Sequence, residues 1–271
     1  MKLYQIIGVL ALIAMGMTSC EEIIELDLEN AEPRLVIEGV VDAGSGNGIV
    51  YLTKSNGFYD PISIELVGGA TVTITQADGT EIALSSLADG VYLAGGIVAN
   101  EGDTLSILVI DGEGNEYKAS AKTPHSVAID SLEIIEQEGG RGGFGGNDDT
   151  KTYQIFTHWQ DKAGTESFYR VRATINDTLQ ANTYTLADDL LEEGEAMTRP
   201  FFQPFEGGDT VTMQLLSIDK STYVYYDNLS SIQGAGFSSS TPFNPNSNFD
   251  NNALGYFGVL RFDSQTVILE E

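Results

Sequence analysis

Cys20 is the one cysteine of the chain, and its neighbours assign its sulfur a specific chemistry. It follows an apolar run from Leu3 to Met17 and the small residues Thr18 and Ser19, with Lys2 ahead of them. The run has the length of a secretory signal and falls short of the roughly 20 apolar residues that a membrane-crossing helix needs. A signal that ends in small residues at a cysteine is the pattern of lipid attachment. The thiolate takes a diacylglyceryl group, and cleavage ahead of Cys20 frees an amino group for a further acyl chain. One acyl chain holds a protein only marginally, whereas two or more anchor it stably. Residues 1–19 are therefore expected to be a cleaved signal peptide, with the mature chain held to a membrane through the lipid on Cys20. No thiol is then left for a disulfide or for catalysis.

The other reactive residue types form no constellation. His125 and His158 are far apart and lack metal-ligand spacing. Gly44-Ser45-Gly46 lacks the strand–elbow–helix setting of a hydrolase serine. Asp42 to Asn47 and Asp111 to Glu116 are rich in oxygen ligands but lack the ligand order of a calcium loop. Asp188-Asp189 and Glu192-Glu193 fall in an expected loop, where a solvated acidic patch is the default. Acids are numerous enough for a two-carboxylate glycosidase, but nothing marks a pair. The expectation is a chain with no catalytic residue, no metal and no cofactor.

Forty acidic residues against thirteen basic ones give a net charge of −27. That balance argues against nucleic acid, which requires a basic stripe, and against charge-driven binding to anionic lipid headgroups. Its plainest consequence is solubility. Part of the excess lies directly after Cys20, in Glu21-Glu22-Ile23-Ile24-Glu25-Leu26-Asp27-Leu28-Glu29. Like charges extend a chain, so residues 20–32 read as an acidic tether.

From residue 33 the pattern becomes short β-branched runs broken by Gly, Asn and Asp. About eight strands are expected in 33–124, among them Arg34–Val41, Ala70–Thr75 and Thr104–Ile110, with Asp78-Gly79 as a two-residue hairpin turn. This spacing implies a β-sandwich of immunoglobulin or prealbumin type. Lys122-Thr123-Pro124 closes it, and 125–271 reads as a second β-rich domain. The Gly-rich stretch 139–149 is expected to be a mobile surface loop. One short helix is expected over Asp219–Ile232, capped by Asp219 and packed on a sheet through Tyr223, Tyr226, Leu229 and Ile232. Two closing strands follow, Ala253–Leu260 and Gln265–Leu269. The polar loops near the C-terminus carry aromatics suited to ligand contact: Phe237, Phe243 and Tyr256 foremost, with Phe201, Phe202 and Phe205.

Gly69-Ala-Thr-Val-Thr-Ile, Asp89-Gly90-Val-Tyr92 and Glu101-Gly-Asp-Thr-Leu105 resemble prealbumin-like or carboxypeptidase-regulatory-like sandwiches of exported proteins. In the second half the ordered motifs are Ile129-Asp130-Ser131-Leu132, Phe168-Tyr169-Arg170-Val171, Asp188-Asp189-Leu190, Tyr223-Val-Tyr225, Pro242-Phe243-Asn244-Pro245, Ser247-Asn248-Phe249 and Leu254-Gly255-Tyr256-Phe257-Gly258. Together they resemble the lipoproteins of domain-of-unknown-function family 4249 from Bacteroidota. Glu21 and Glu22, next to the lipidated cysteine, resemble the surface-export signal of such lipoproteins. The resemblance implies an outer-membrane protein facing the cell exterior, found beside TonB-dependent receptors, and it carries over no catalytic residue. The function expected first is a non-enzymatic accessory subunit of such a receptor in nutrient uptake. A direct carbohydrate- or peptide-binding module is the second reading, and an acid-pair hydrolase the third.

Overall fold

Successive side chains of a strand face opposite ways. In Leu35–Asp42 this buries Ile37 and Val41 completely and leaves Glu38 exposed between them. The same alternation buries Val50 and Leu52 in Asn47–Lys54. These are β1 and β2 of a computed structural model that describes residues 32–56, 64–137, 151–180, 184–190, 194–201, 203–234 and 243–271. The first half of the chain continues with β3 (Glu65–Leu66), β4 (Thr71–Thr75), β5 (Glu81–Ala83), β6 (Ser85–Ala88), β7 (Val91–Ala94), β8 (Thr104–Ile110) and β9 (Glu116–Lys122). The second half adds β10 (Ser131–Gln137), β11 (Thr152–Gln160), β12 (Phe168–Ile175), β13 (Thr178–Leu179), β14 (Thr185–Asp188), β15 (Ala196–Pro200), β16 (Phe205–Glu206) and β17 (Thr210–Ile218). Helix α1 (Lys220–Gly234) and strand β18 (Leu254–Ile268) complete it. Among the described residues no helix is long and apolar enough to cross a membrane.

One long sheet runs β13-β12-β17-β18-β1-β2-β7-β6, with β14 beside β12 and β3 beside β2. The sheet β5-β4-β8-β9 covers one end of it. There Val72, Ile74, Leu105 and Val109 meet Ile37, Val41, Val50 and Leu52 in a first core. The sheet β10-β11-β15, with β16 beside β11, covers the other end. There Ile155, Trp159, Met197 and Phe205 meet Tyr169, Val171, Met213 and Leu215 in a second core. The fold is therefore mainly β, two sandwiches joined through a common sheet, as the alternating pattern implies.

The two expected closing strands are one. β18 has 15 residues, and its partner changes at Leu260. Leu254–Leu260 lies parallel to β1, and Leu260–Ile268 lies antiparallel to β17. Arg261-Phe262-Asp263-Ser264 reads as a break because it is polar. Here it is the span that carries the strand from the first core to the second. Phe257 and Val259 belong to the first core, together with Phe249 and Ala253, whereas Leu269 belongs to the second. Residues 33–271 form one compact unit, and the half 125–271 supplies four residues to the core of the half 33–124.

The turn at Asp78-Gly79 is also longer than expected. Gly79 N–H donates to the Gln76 carbonyl and Gln76 N–H to the Thr80 carbonyl, so three residues make the loop. A two-residue primed turn needs positive φ at its first central position, and of Asp78 and Gly79 only Gly79 has it (φ 86°). Strands β6, β13, β15 and β16 had no counterpart in the expected set. Three of them have four residues or fewer, and β15 ends in Pro200, which argues against a strand when read alone.

Helix α1 starts where the sequence places it. Asp219 Oδ1 accepts from the Ser221 N–H at 2.9 Å and the Thr222 N–H at 3.2 Å, and Oδ2 accepts from the Thr222 hydroxyl at 2.6 Å. Oδ2 also accepts from Val259 N–H at 3.3 Å, which ties the cap to β18. Gly258 makes the close approach possible, because a Cβ there would collide with the Thr222 hydroxyl. The most buried face of α1 is turned slightly from the expected one: Thr222 and Tyr225 are inside, with Tyr223 and Tyr226 half-buried against Phe168, Leu216 and Leu260.

Candidate functional site

Residues Arg170 and Arg172 are two apart in β12, so they share a face, and their neighbours Tyr169 and Val171 point into the second core. The arginine face is the outer face of the long sheet, next to α1. There β12, β17, β18, β1 and β2 line a cavity of about 400 Å³. Arg170, Arg172, Tyr226, Tyr256 and Asp42 supply its polar wall, and Val40, Ile49, Leu216, Leu260 and Phe262 its apolar wall. Tyr256 stacks obliquely on Tyr225 at 4.6 Å between ring centres and lies 5.4 Å from Tyr226. The Tyr226 and Tyr256 hydroxyls are hydrogen-bonded at 2.5 Å. The Arg170 guanidinium sits 4.1 Å over the Tyr226 ring and 5.2 Å over that of Tyr184, within cation–π range. Burial pushes the Tyr256 phenol well above its ordinary range, and Tyr225 shifts the same way for the same reason. Burial pushes the Arg172 guanidinium down, and the charge of Arg170 beside it adds to that shift.

A second cavity, also about 400 Å³, opens where the sandwiches meet. Glu101, Lys122, Thr123 and His125 line one side and Ser167, Phe168, Ser217 and Lys220 the other. Ion pairs Lys162–Glu101 and Lys220–Glu166 (2.7 Å) lie at this junction. The hydroxyls of Thr123 and Ser217 are buried with no partner among the described residues. Beside them runs a buried relay. Tyr169 donates to Asp161 at 2.6 Å, so its oxygen accepts from His125 Nε2 at 3.1 Å. Asp161 also accepts from Gly194 N–H at 2.8 Å. Burial lowers the His125 pKa, and the charge of Lys162 pushes the same way, so both favour the uncharged ring. Burial works against the Asp161 carboxylate, but its hydrogen bonds from Tyr169 and Gly194 outweigh it and hold the group below its ordinary value.

The expected site residues do not converge. Cys20, Glu21, Glu22, Phe202, Phe237, Glu192, Glu193 and the Gly-rich stretch 139–149 lie outside the described residues. Phe243 is 46% exposed, and Tyr256 is buried in the arginine–tyrosine cavity. Phe201 and Phe205 are fully buried and stack on each other in the second core, because β15 and β16 bring them inside. They offer a ligand no surface. Asp188 and Asp189 are not a solvated patch: Asp188 accepts from the Tyr223 hydroxyl at 2.7 Å, and Asp189, 4% exposed, accepts from Ser167 N–H at 2.9 Å. Asp42 and Asp111 cap their own turns. Asp42 accepts from Gly44 N–H and the Ser45 hydroxyl, and Asp111 from Glu113 N–H, Asn115 and Tyr117. His158 is a strand residue bonded across β11 to Thr198 at 2.8 Å and Glu133 at 3.1 Å. The sequence passes over Arg172 and the His125–Tyr169–Asp161 relay, and it marks Tyr226 as a helix residue packed on a sheet, without the cavity. Only the i, i+2 spacing of Arg170 and Arg172 within a strand signalled any of them.

The fold and these cavities define a mainly β protein of two sandwiches on a common sheet, with an arginine–tyrosine cavity beside its helix. The chain belongs to the family Domain of unknown function (DUF4249), whose model matches residues 21–266. None of the curated proteins is significantly similar to it in sequence. Among solved structures, a two-domain fibronectin type III segment of chicken tenascin aligns with 68% of this chain and 90% of its own, at 11% identity and a TM-score of 0.23. The Yersinia pseudotuberculosis adhesin InvE aligns with 68% of this chain and 56% of its own, at 18% identity and a TM-score of 0.20. Likeness at that level says nothing about function, and the fold rests on the strand pairings themselves.

Proposed function

We propose that this chain is a lipid-anchored protein of the Bacteroidota outer membrane, exposed on the cell surface, where it serves as a non-enzymatic accessory subunit of a TonB-dependent receptor in nutrient uptake. The observation that carries this reading is the signal sequence ending at Cys20, followed at once by the acidic tract from Glu21. The family match supports it, since it begins one residue after the cysteine. The compact body of residues 33–271 suits a role built on surfaces and cavities. Metabolic labelling with a clickable palmitate analogue should tag the protein, and Cys20→Ala should abolish the tag and release the protein from membranes. Replacing Glu21 and Glu22 by Ala should protect it from protease added to whole cells. Affinity purification from solubilised outer membranes should recover a barrel receptor. An untagged wild-type protein, or its repeated recovery alone, would defeat the proposal. The second reading, a direct carbohydrate- or peptide-binding module, is favoured by the two cavities.

A further inference from the structure

The cavity beside α1 holds groups that packing alone does not call for. In a chain with 13 basic residues against 40 acidic ones, two arginines enter one cavity from one face of β12. Arg170 lies against tyrosine rings. Arg172 is half-buried and is held at Nε by Gln214 Oε1 at 2.7 Å. That is its one hydrogen bond among the described residues, and it pairs with no described carboxylate. Its two terminal amino groups are therefore open donors in the fork geometry that fits a carboxylate. Asp42 lines the same cavity, but both of its oxygens accept bonds from its own turn, from Gly44 N–H at 2.9 Å and the Ser45 hydroxyl at 2.6 Å. The hydroxyls of Tyr226 and Tyr256 have one hydrogen between them, and the other is left to donate outward. The facing wall is aliphatic and aromatic. A volume of about 400 Å³ is that of a small-molecule site.

We propose that this cavity binds a small amphiphilic organic acid, with the carboxylate on Arg172 and the Tyr226–Tyr256 hydroxyl pair and the apolar body against Ile49 and Leu260. The charge selects the acid over its neutral analogue, and the apolar wall selects it over a bare inorganic anion. Binding does not depend on the lipid anchor or on any receptor.

Equilibrium dialysis of the full chain in lipid nanodiscs against 3-phenylpropionate, with empty nanodiscs as blank, tests it. Saturable binding of one acid per chain is expected, weakened at least tenfold for 3-phenylpropanol and at least tenfold by Arg172→Gln. Ile49→Trp, which fills the apolar side of the cavity and leaves both arginines in the sequence, should also abolish binding while leaving the thermal midpoint near wild type. Circular dichroism of each variant separates loss of the site from loss of the fold. Equal binding of acid and alcohol, binding indifferent to both substitutions, or no saturable binding by the folded wild type would overturn the proposal.

Discussion

Asp161 accepts hydrogen bonds from the Tyr169 hydroxyl and the Gly194 N–H in a nearly closed place, so its removal strands these donors. Asp161→Ala should cost about 2–4 kcal/mol, read as a lower urea midpoint with unchanged slope. The pH dependence follows from the same relay. The folded pKa of Asp161 lies below the ordinary value of 3.8, so its contribution is complete above that value and fades as the pH falls through the folded pKa. His125 is a base whose folded pKa also lies below its ordinary value, 6.5. The unfolded chain then binds the proton first, and stability declines as the pH drops below 6.5, by at most about 1.4 kcal/mol per pH unit. His125→Gln should flatten that part of the stability–pH curve in urea titrations. Both histidines are visible in the sequence, but the lowered pKa of His125 is not, because it comes from burial and from the charge of Lys162.

Among the elements, β18 and α1 depend on small residues where backbones come close. Gly255 has φ 93°, and a Cβ there would overlap the Ile37 carbonyl oxygen of β1. Gly255→Ala should destabilise the protein by about 3 kcal/mol or more in chemical denaturation. Gly112→Ala, at a site with nothing within 4 Å, should stay within about 0.5 kcal/mol of wild type. Asp219→Ala removes the α1 cap and its link to Val259, and should cost about 1–2 kcal/mol. The start of α1 was legible because a cap acts within three residues. Its buried face was legible only in part: Tyr225 is inside because Tyr256 of β18 stands opposite it, and no local period carries that information.

At the scale of the whole molecule, the two sandwiches stand or fall with β18. Phe249, Ala253, Phe257 and Val259 fill the first core from the far end of the chain. Burying a Phe or Val side chain stabilises by about 1.5–3 kcal/mol each, a large share of the roughly 5–15 kcal/mol that holds a domain folded. A fragment of residues 33–124 should therefore lack a cooperative melt by circular dichroism, and the intact chain should unfold in one calorimetric transition. Two separated transitions would show that the halves are independent. The amino-acid sequence by itself determined what acts over a few residues: the alternation that makes sandwich strands, the Asp219 cap and the turn positions of its glycines. Tertiary structure alone decided that two apparent strands are one, that Phe201 and Phe205 are core, and that Arg172 meets Tyr256 in a cavity. Side-chain period sets which way a residue faces. What it faces is set by pairings such as Val36 with Leu254, which form only when the burial of both cores outweighs the entropy of closing so long a loop.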